Sequence, residues 1–236
     1  LKPQPRRRRW LLWSVLALVF LLLLPVLQVG CVKFVNPPTT PEMVRFQLFS
    51  KNAAARARGL RYEWMPLTQV PRAQIRYLWA SEDQRFFIHD GIDFEEIDRA
   101  LAEAKKTGRQ PRGGSTITQQ CARSVFLWQG RSWVRKALEA YYTVAMERLL
   151  GKRRILELYV NVIEFGEGIY GVEAAAETYY HKSPQQLTRA QMAMLAAILP
   201  NPKEWSPVKP SARVLQRQRR VLRLEQAARF PEAKLK

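Results

Sequence analysis

The sequence predicts a mainly α-helical protein preceded by one transmembrane helix, and three observations predict it. Helical patterns bounded by caps and breakers recur along most of the chain. No apolar/polar alternation runs far enough to mark a strand. One uncharged segment is long enough to cross a bilayer as a helix.

That segment is Trp10 to Val32, 23 residues in which Ser14, Pro25, Gln28 and Gly30 alone are not clearly apolar. As a helix it would span about 34 Å, enough for a hydrocarbon core of roughly 30 Å. Arg6 to Arg9 directly precede it and should stay cytoplasmic by the positive-inside rule, leaving everything after Lys33 on the far side. A cleaved signal peptide would have a shorter apolar region and a small-residue cleavage site, and neither is present. Leu27 to Cys31 has the faint outline of a lipoprotein cleavage site, with Gln28 where an aliphatic residue belongs. A retained anchor is the expectation.

Beyond the membrane, Pro37, Pro38 and Pro41 make a stiff exit, and residues 42–58 read as a juxtamembrane helix. Pro71 starts a helix over Arg72–Ala80. Asp93 and Glu96 have the spacing of a capping box and open a helix that ends near Gly108. Residues 110–114 form a loop rich in breakers. Ser132–Leu150 is a long helix stopped by Gly151, and Lys152–Val160 another, stopped by the three glycines of Phe165–Gly171. Thr188 with Gln191 caps Arg189–Leu199, which Pro200 ends. That stretch is too short to span a bilayer and reads as a buried core helix. The expected organisation is a basic tail (1–9), a transmembrane helix (10–32), a connector (33–59), a main domain (60–205) and a basic helical extension (206–236).

Composition narrows the function. Apolar residues at 47% and charged residues at 25% exclude wholesale disorder. Two cysteines exclude a disulfide scaffold or a Cys-rich zinc module, and two histidines, His89 and His181, leave little for a His-based metal site. The formal charge of +19 divides as +5 in residues 1–9, +7 in 33–202 and +7 in 203–236. Such a basic surface suits a polyanion. With the soluble part outside the cytoplasm, nucleic acid is not an expected partner. Lipid headgroups or an anionic substrate such as a diphosphate are.

Four stretches could carry chemistry. Glu82-Asp83, followed by Phe86 and Phe87, can place a carboxylate against a low-dielectric wall and suit it to general acid or base work. A solvated helix end is the commoner meaning of such a pair. Gly113-Gly114 lead into Ser115, Thr116, Gln119 and Gln120, where free backbone N–H groups and hydroxyls could receive an anion or a sugar. A plain N-cap with surface glutamines fits as well. Arg123, Arg131, Arg135 and Lys136 follow, with Arg131 and Arg135 at i,i+4 spacing on one helix face. They make either a solvated face or a diphosphate site. Glu157 lies inside the apolar run Ile155–Asn161, where an isolated acid is costly unless paired or functional.

Taken in order, these segments resemble the peptidoglycan glycosyltransferase (transglycosylase) family, found fused in class A penicillin-binding proteins and alone as monofunctional biosynthetic enzymes. The resemblance covers roughly residues 60–205. It rests on E-D-x-x-F-x-x-H-x-G at Glu82–Gly91, G-G-S-T-I-T-Q-Q at Gly113–Gln120, R-K-x-x-E at Arg135–Glu139 and I-L-E-x-Y-x-N at Ile155–Asn161. F-G-x-G-x-Y-G at Phe165–Gly171, K-S-P-x-Q-L at Lys182–Leu187 and L-P-N-P at Leu199–Pro202 complete it. As no transpeptidase region follows in the sequence as it stands, the monofunctional form is the expected match.

The resemblance implies a lysozyme-like helical lobe with a smaller membrane-facing jaw. It also implies polymerisation of lipid II, with the growing lipid-linked glycan as donor, into β-1,4 glycan with inversion. By resemblance Glu82 is the general base. Glu157 is a second acid, near the leaving diphosphate or helping to orient a metal. Arg123, Arg131, Arg135 and Lys136 are diphosphate-stabilising cations. Ser115, Thr116, Gln119, Gln120 and Asn161 belong to the substrate site, and Glu139 is a structural or substrate-contacting acid. A divalent cation, Mg2+ or Mn2+, is implied by the family alone; no metal-ligand spacing is legible. Membrane lipids and other cell-wall synthesis proteins are the implied partners.

The sequence departs from the family at Cys121-Ala122-Arg123-Ser124, where L-x-K-N is usual, and at Val160, where Leu is common. Arg for Lys keeps the charge but changes its fork geometry and hydration. Two rivals share parts of this pattern. A glycan-cleaving enzyme needs a Glu but no cations for a departing diphosphate, and a non-catalytic scaffold needs neither Glu82 nor Glu157.

Overall fold

A computed structural model describes residues 5–108, 114–130 and 132–235. Among these residues it holds eleven α-helices, two short 3-10 turns and three very short strands. The first helix, α1 (Pro5–Phe34), contains a 26-residue apolar segment from Arg9 to Phe34, within which an 18-residue window reaches a mean hydropathy of 2.7. Most of that segment is exposed, unlike a core helix, so by length and composition it is a candidate membrane span.

The juxtamembrane helix expected over 42–58 is two helices, α2 (Pro41–Phe49) and α3 (Ala53–Arg58). The break has a local cause. Asn52 accepts a hydrogen bond from the Ala55 N–H (3.0 Å) and restarts the helix, while the Ser50 hydroxyl is drawn to Glu167. Helix α4 (Arg72–Glu82) runs two residues further than the sequence suggests, so Glu82 is its last residue. Helix α5 (Phe94–Thr107) starts at Asp93, whose carboxylate accepts from the Glu96 N–H, and ends at Gly108 with φ 64°. Helix α6 (Ile117–Phe126) opens with a full capping box between Thr116 and Gln119.

Helix α7 (Trp133–Leu149) starts at Ser132, and α8 (Gly151–Val162) follows at once. Gly151, expected as a stop, is the corner between them, with φ 73°. Strands β1 (Arg61–Tyr62), β2 (Glu164–Gly166) and β3 (Ile169–Tyr170) form a sheet in the order β1-β3-β2. Two or three residues cannot display a period of two, which is why the sequence gives no strand signal. Helix α9 (Val172–Tyr180) was not anticipated; α10 (Arg189–Ile198) matches its expected capping box; α11 (Ala212–Ala227) forms the basic extension.

One apolar core joins the helices, with Val29 and Val32 at the end of α1 included. Helices α6, α7 and α8 pack together, and α4, α10 and α11 form a second group. Leu78, Ile117, Met146, Ile155 and Leu195, drawn from both groups, are fully buried in that core. Val214 and Val221 of α11 are buried as well, so the extension is packed into the core rather than trailing from it. Helix α1 lies along α7. Pro25 has no N–H to give the preceding turn of α1, and the nearby Leu22 carbonyl receives the Tyr141 hydroxyl. The polar Gln28 side chain in the same helix receives the Tyr142 hydroxyl.

Candidate active site

Glu82 ends α4, where the helix dipole disfavours an anion. Three donors offset this. Its Oε1 accepts from the Ser81 hydroxyl (2.9 Å) and from Nη2 of Arg217 (3.1 Å), and its Oε2 accepts from Nε2 of Gln120 (3.1 Å). The carboxylate is thereby aimed, yet the side chain keeps 11% exposure. Gln120 in turn receives the Tyr159 hydroxyl (3.3 Å), which links Glu82 through α6 to α8. Burial, and next the nearby Glu82 charge, push the Tyr159 phenol well above its ordinary value, so it stays a donor.

Beneath Glu82 lies a closed polar frame. His89 Nδ1 accepts from the Gly91 N–H (3.1 Å), which leaves Nε2 to donate to Asp83 (3.0 Å). Asp83 also accepts from the Ile117 N–H (3.0 Å) at the start of α6. Lys152 donates to the His89 carbonyl (2.6 Å) and to Glu147 (2.8 Å), with its ammonium over the Phe86 ring. Gly91 is required here: at φ 91°, an added Cβ would lie 2.6 Å from Thr143 and 2.8 Å from Glu147.

Asp83, His89 and Asp93 bring ligand atoms within 4.8 Å of one another, the one such group among the described residues. These atoms do not fit a resident divalent cation. Asp83 and His89 are engaged as above. Asp93 accepts from the Glu96 N–H (3.0 Å) and pairs with Arg85 (2.8 Å). A cation there would have to displace a helix cap, an ion pair and the imidazole hydrogen bond. The cluster is a brace.

The second acid, Glu157, is not isolated. Its Oε1 accepts from the Leu67 N–H (3.1 Å), and its Oε2 pairs with Arg154 (2.7 Å). Asn161 secures the Leu67 segment, accepting from the Met65 N–H (2.7 Å) and donating to the Met65 and Glu157 carbonyls (2.8 Å each). Gly171 packs on the Asn161 backbone so tightly that an added Cβ would lie 2.7 Å from its carbonyl oxygen.

The expected cations gather on Glu139, which is fully buried. Arg135 pairs with it at 2.7 Å, Lys136 also binds it, and Arg123 stands 3.9 Å away. Arg135 is itself nearly buried, whereas the Lys136 and Arg123 side chains are 45% and 34% exposed. Three cations around one carboxylate leave two positive charges, carried outward by Arg123 and Lys136. Arg131 and Gly113 lie outside the described residues.

The substrate-site candidates divide in the same way. Ser115 and Gln120 are partly open. Thr116 and Gln119 are buried in their reciprocal cap, and Asn161 has its amide fully engaged. Arg217 and Arg154 hold the candidate acids directly, and Tyr159 supports Glu82 through Gln120; none of the three was given a role from the sequence. Each arginine is one basic residue in a stretch of similar ones, whereas Tyr159 is a letter of the Ile155–Asn161 motif. Cys121, at the position where the family usually has Leu, is buried among apolar side chains, and burial pushes its thiol up.

A family model described as Transglycosylase matches residues 50–226. The chain is 47% identical over 215 residues, 90% of each chain, to a "Biosynthetic peptidoglycan transglycosylase" of Caulobacter vibrioides. It is 41% identical over 220 residues to the protein of that name from Bdellovibrio bacteriovorus, covering 91% of this chain and 84% of the relative. The Shewanella amazonensis protein of that name is 44% identical over 194 residues, 82% of this chain and 77% of the relative. With a helical fold, a held glutamate and a cationic cluster assembled from the same motifs, this chain belongs to the transglycosylase family.

Proposed function

We propose that this protein is a membrane-anchored peptidoglycan glycosyltransferase that extends β-1,4 glycan from lipid II outside the cytoplasmic membrane, for cell-wall synthesis. The observation that carries this reading is the Glu82 carboxylate, fixed by Gln120, Ser81 and Arg217 yet still reachable. In the step proposed, the acceptor sugar's 4-hydroxyl attacks C1 of the donor sugar while Glu82 takes its proton. The C1–O bond to the diphosphate breaks, and undecaprenyl diphosphate leaves with the electron pair. A single displacement of this kind inverts C1.

Charge develops on the leaving diphosphate, and exposed cations already oriented by a buried carboxylate stabilise it with little reorganisation. Arg123 and Lys136 suit that task by exposure, and Arg131 by resemblance. Arg135 and Glu139 serve as their base plate. Ser115 and Gln120 are the proposed sugar-contacting pair, with Thr116, Gln119 and Asn161 shaping the backbone behind them. Glu157 is the second acid, near the diphosphate. The catalytic unit is proposed to include α11, because Arg217 comes from it. Arg6 to Arg9 would hold the N-terminus in the cytoplasm. Lipid II, the growing lipid-linked glycan and membrane lipids are the proposed partners, together with other cell-wall synthesis proteins.

Incubation of the full chain with labelled lipid II tests the reading against glycan cleavage. Long glycan with release of undecaprenyl diphosphate supports it. Shortening of preformed glycan, with lipid II untouched, would replace it with a hydrolytic one.

A further inference from the structure

Helix α11 carries five arginines and one acid over Ala212–Ala227. One of the five, Arg217, donates to Glu82 (3.1 Å) and to the Ser81 hydroxyl (3.2 Å). Val214 and Val221 mark the buried face of the helix. At about 3.6 residues per turn, Arg213 and Arg220 stand beside Arg217, at i−4 and i+3, on its side away from those valines. They therefore edge the cleft next to Glu82, and Arg223 continues that edge outward. All three are exposed. The Arg213 guanidinium lies 5.5 Å from the centre of the half-buried Trp205 ring, an aromatic face that orients it without using its N–H groups. Among the described residues none of the three has an acidic partner, and the one acid of the helix, Glu225, faces Arg76 (3.6 Å). Guanidiniums without acids at the edge of a cleft call for anionic groups from outside the chain.

We propose that this edge is a docking surface for the growing glycan strand, which Arg213, Arg220 and Arg223 hold through the carboxylates of the strand's peptides. The proposal rests on the glycosyltransferase reading and adds to it a means of keeping the product between additions. Charge and position select this occupant. The diphosphates already have Arg123 and Lys136, gathered on Glu139 between α6 and α7. Lipid headgroups belong with the candidate span, and α1 packs along α7, whereas α11 packs on α4 and α10. The strand itself remains. Each of its repeats is a disaccharide with a short peptide joined through the peptide's N-terminus, so each repeat brings a free carboxylate. A planar guanidinium meets a carboxylate as a two-pronged fork. One exposed pair of this kind is weak. A strand offers one at every repeat, so successive contacts act at high effective concentration and outlast any single one. A strand held in this way stays for the next addition, and the edge controls product length.

The test compares the full chain as wild type, Arg213→Gln/Arg220→Gln, Arg213→Lys/Arg220→Lys and Arg219→Gln, all in the same detergent. Arg219 is exposed on another side of α11, because residues two apart do not share a face. The readout is glycan length from labelled lipid II after equal consumption of lipid II, so that a change in rate does not enter. The double glutamine variant is expected to make strands at least ~3-fold shorter than wild type. The lysine variant should keep most of the length, and Arg219→Gln all of it. Lipid II with its peptide carboxylates amidated should give short strands with wild type, and the double glutamine variant should shorten them no further. Wild-type length from the double glutamine variant overturns the docking. Equal shortening on the amidated substrate overturns it in favour of diphosphate or lipid headgroups, and equal shortening by Arg219→Gln reduces it to net charge. If the double glutamine variant does not fold, Arg220→Gln carries the same comparisons. A wild type that leaves lipid II unpolymerised overturns instead the glycosyltransferase reading. Binding of preformed, lipid-free glycan then decides the docking alone: a loss of at least ~3-fold in the double glutamine variant supports it, and equal affinity overturns it.

Discussion

Glu139 is the residue whose removal should cost the fold most. Its side chain has no exposure, and it neutralises Arg135, whose side chain is 10% exposed. Changing Glu139 to Ala strands that guanidinium in a site with little water. Breaking one side of a buried pair costs about 3–5 kcal/mol. The slight exposure of Arg135, and Arg123 and Lys136 being free to turn outward, place the expected cost near the lower end, about 3 kcal/mol. For a domain of this size that lowers Tm by roughly 6–12 °C. Thermal unfolding in detergent, followed by far-ultraviolet circular dichroism, reads it directly. Lys136→Ala is the control: that side chain is 45% exposed, so Tm should move by less than about 2 °C. Replacing both buried partners by apolar residues, Arg135→Met with Glu139→Leu, should recover most of the loss. A Glu139→Ala protein melting within about 2 °C of wild type would refute the base-plate reasoning.

Lys136→Ala, mild for stability, should lower kcat more than it raises KM, and should weaken binding of the phosphoglycolipid inhibitor moenomycin; normal values for both would retire Lys136 as a diphosphate cation. Arg217→Ala removes one of three donors on Glu82, so kcat should fall roughly tenfold, the scale of about 1.4 kcal/mol, and Arg217→Lys should recover part of it. Glu164 offers a pH test, because burial pushes its carboxyl up to about 7 despite the nearby Lys203. The folded state then holds this proton more tightly than the unfolded one, so the stability it contributes is full below about pH 4.5 and is lost as pH rises through about 7. Glu164→Gln should accordingly be more stable than wild type at pH 8, by up to about 3 kcal/mol, with the difference closing toward pH 4.5. An equal gap at both pH values would show that Glu164 is not the group titrating.

The sequence makes the helical class legible because caps and breakers act locally. Asp93, Thr116, Ser132 and Thr188 each cap the helix that the pattern suggested. Sheet residues such as Arg61 and Ile169 pair across more than a hundred positions in strands of two residues, which leave no periodicity to read. At the candidate site, motif spacing points to Glu82 and Glu157 but not to what holds them. Arg217 reaches Glu82 from 135 residues away, within a helix where arginine is common, and only packing of α11 on α4 and α10 selects it. Motif letters also mix residues that face the cleft with residues that build its walls. Thr116, Gln119 and Asn161 occupy site motifs while spending their polar groups on backbone. The lone acid read in α8 is answered by Arg154, one of three successive basic residues of which the sequence marks none.

The central claim is that Glu82 is the base of a polymerising displacement. The direct measurement is the rate of labelled lipid II polymerisation by Glu82→Gln beside wild type, both as full chains in the same detergent, with Tm recorded for each. Glutamine keeps the size, and its amide oxygen can still accept from Ser81 and Arg217, but it cannot take the acceptor's proton. The account predicts a fall in kcat of at least ~100-fold with Tm little changed. Polymerisation at a near-wild-type rate by a folded Glu82→Gln protein would contradict it.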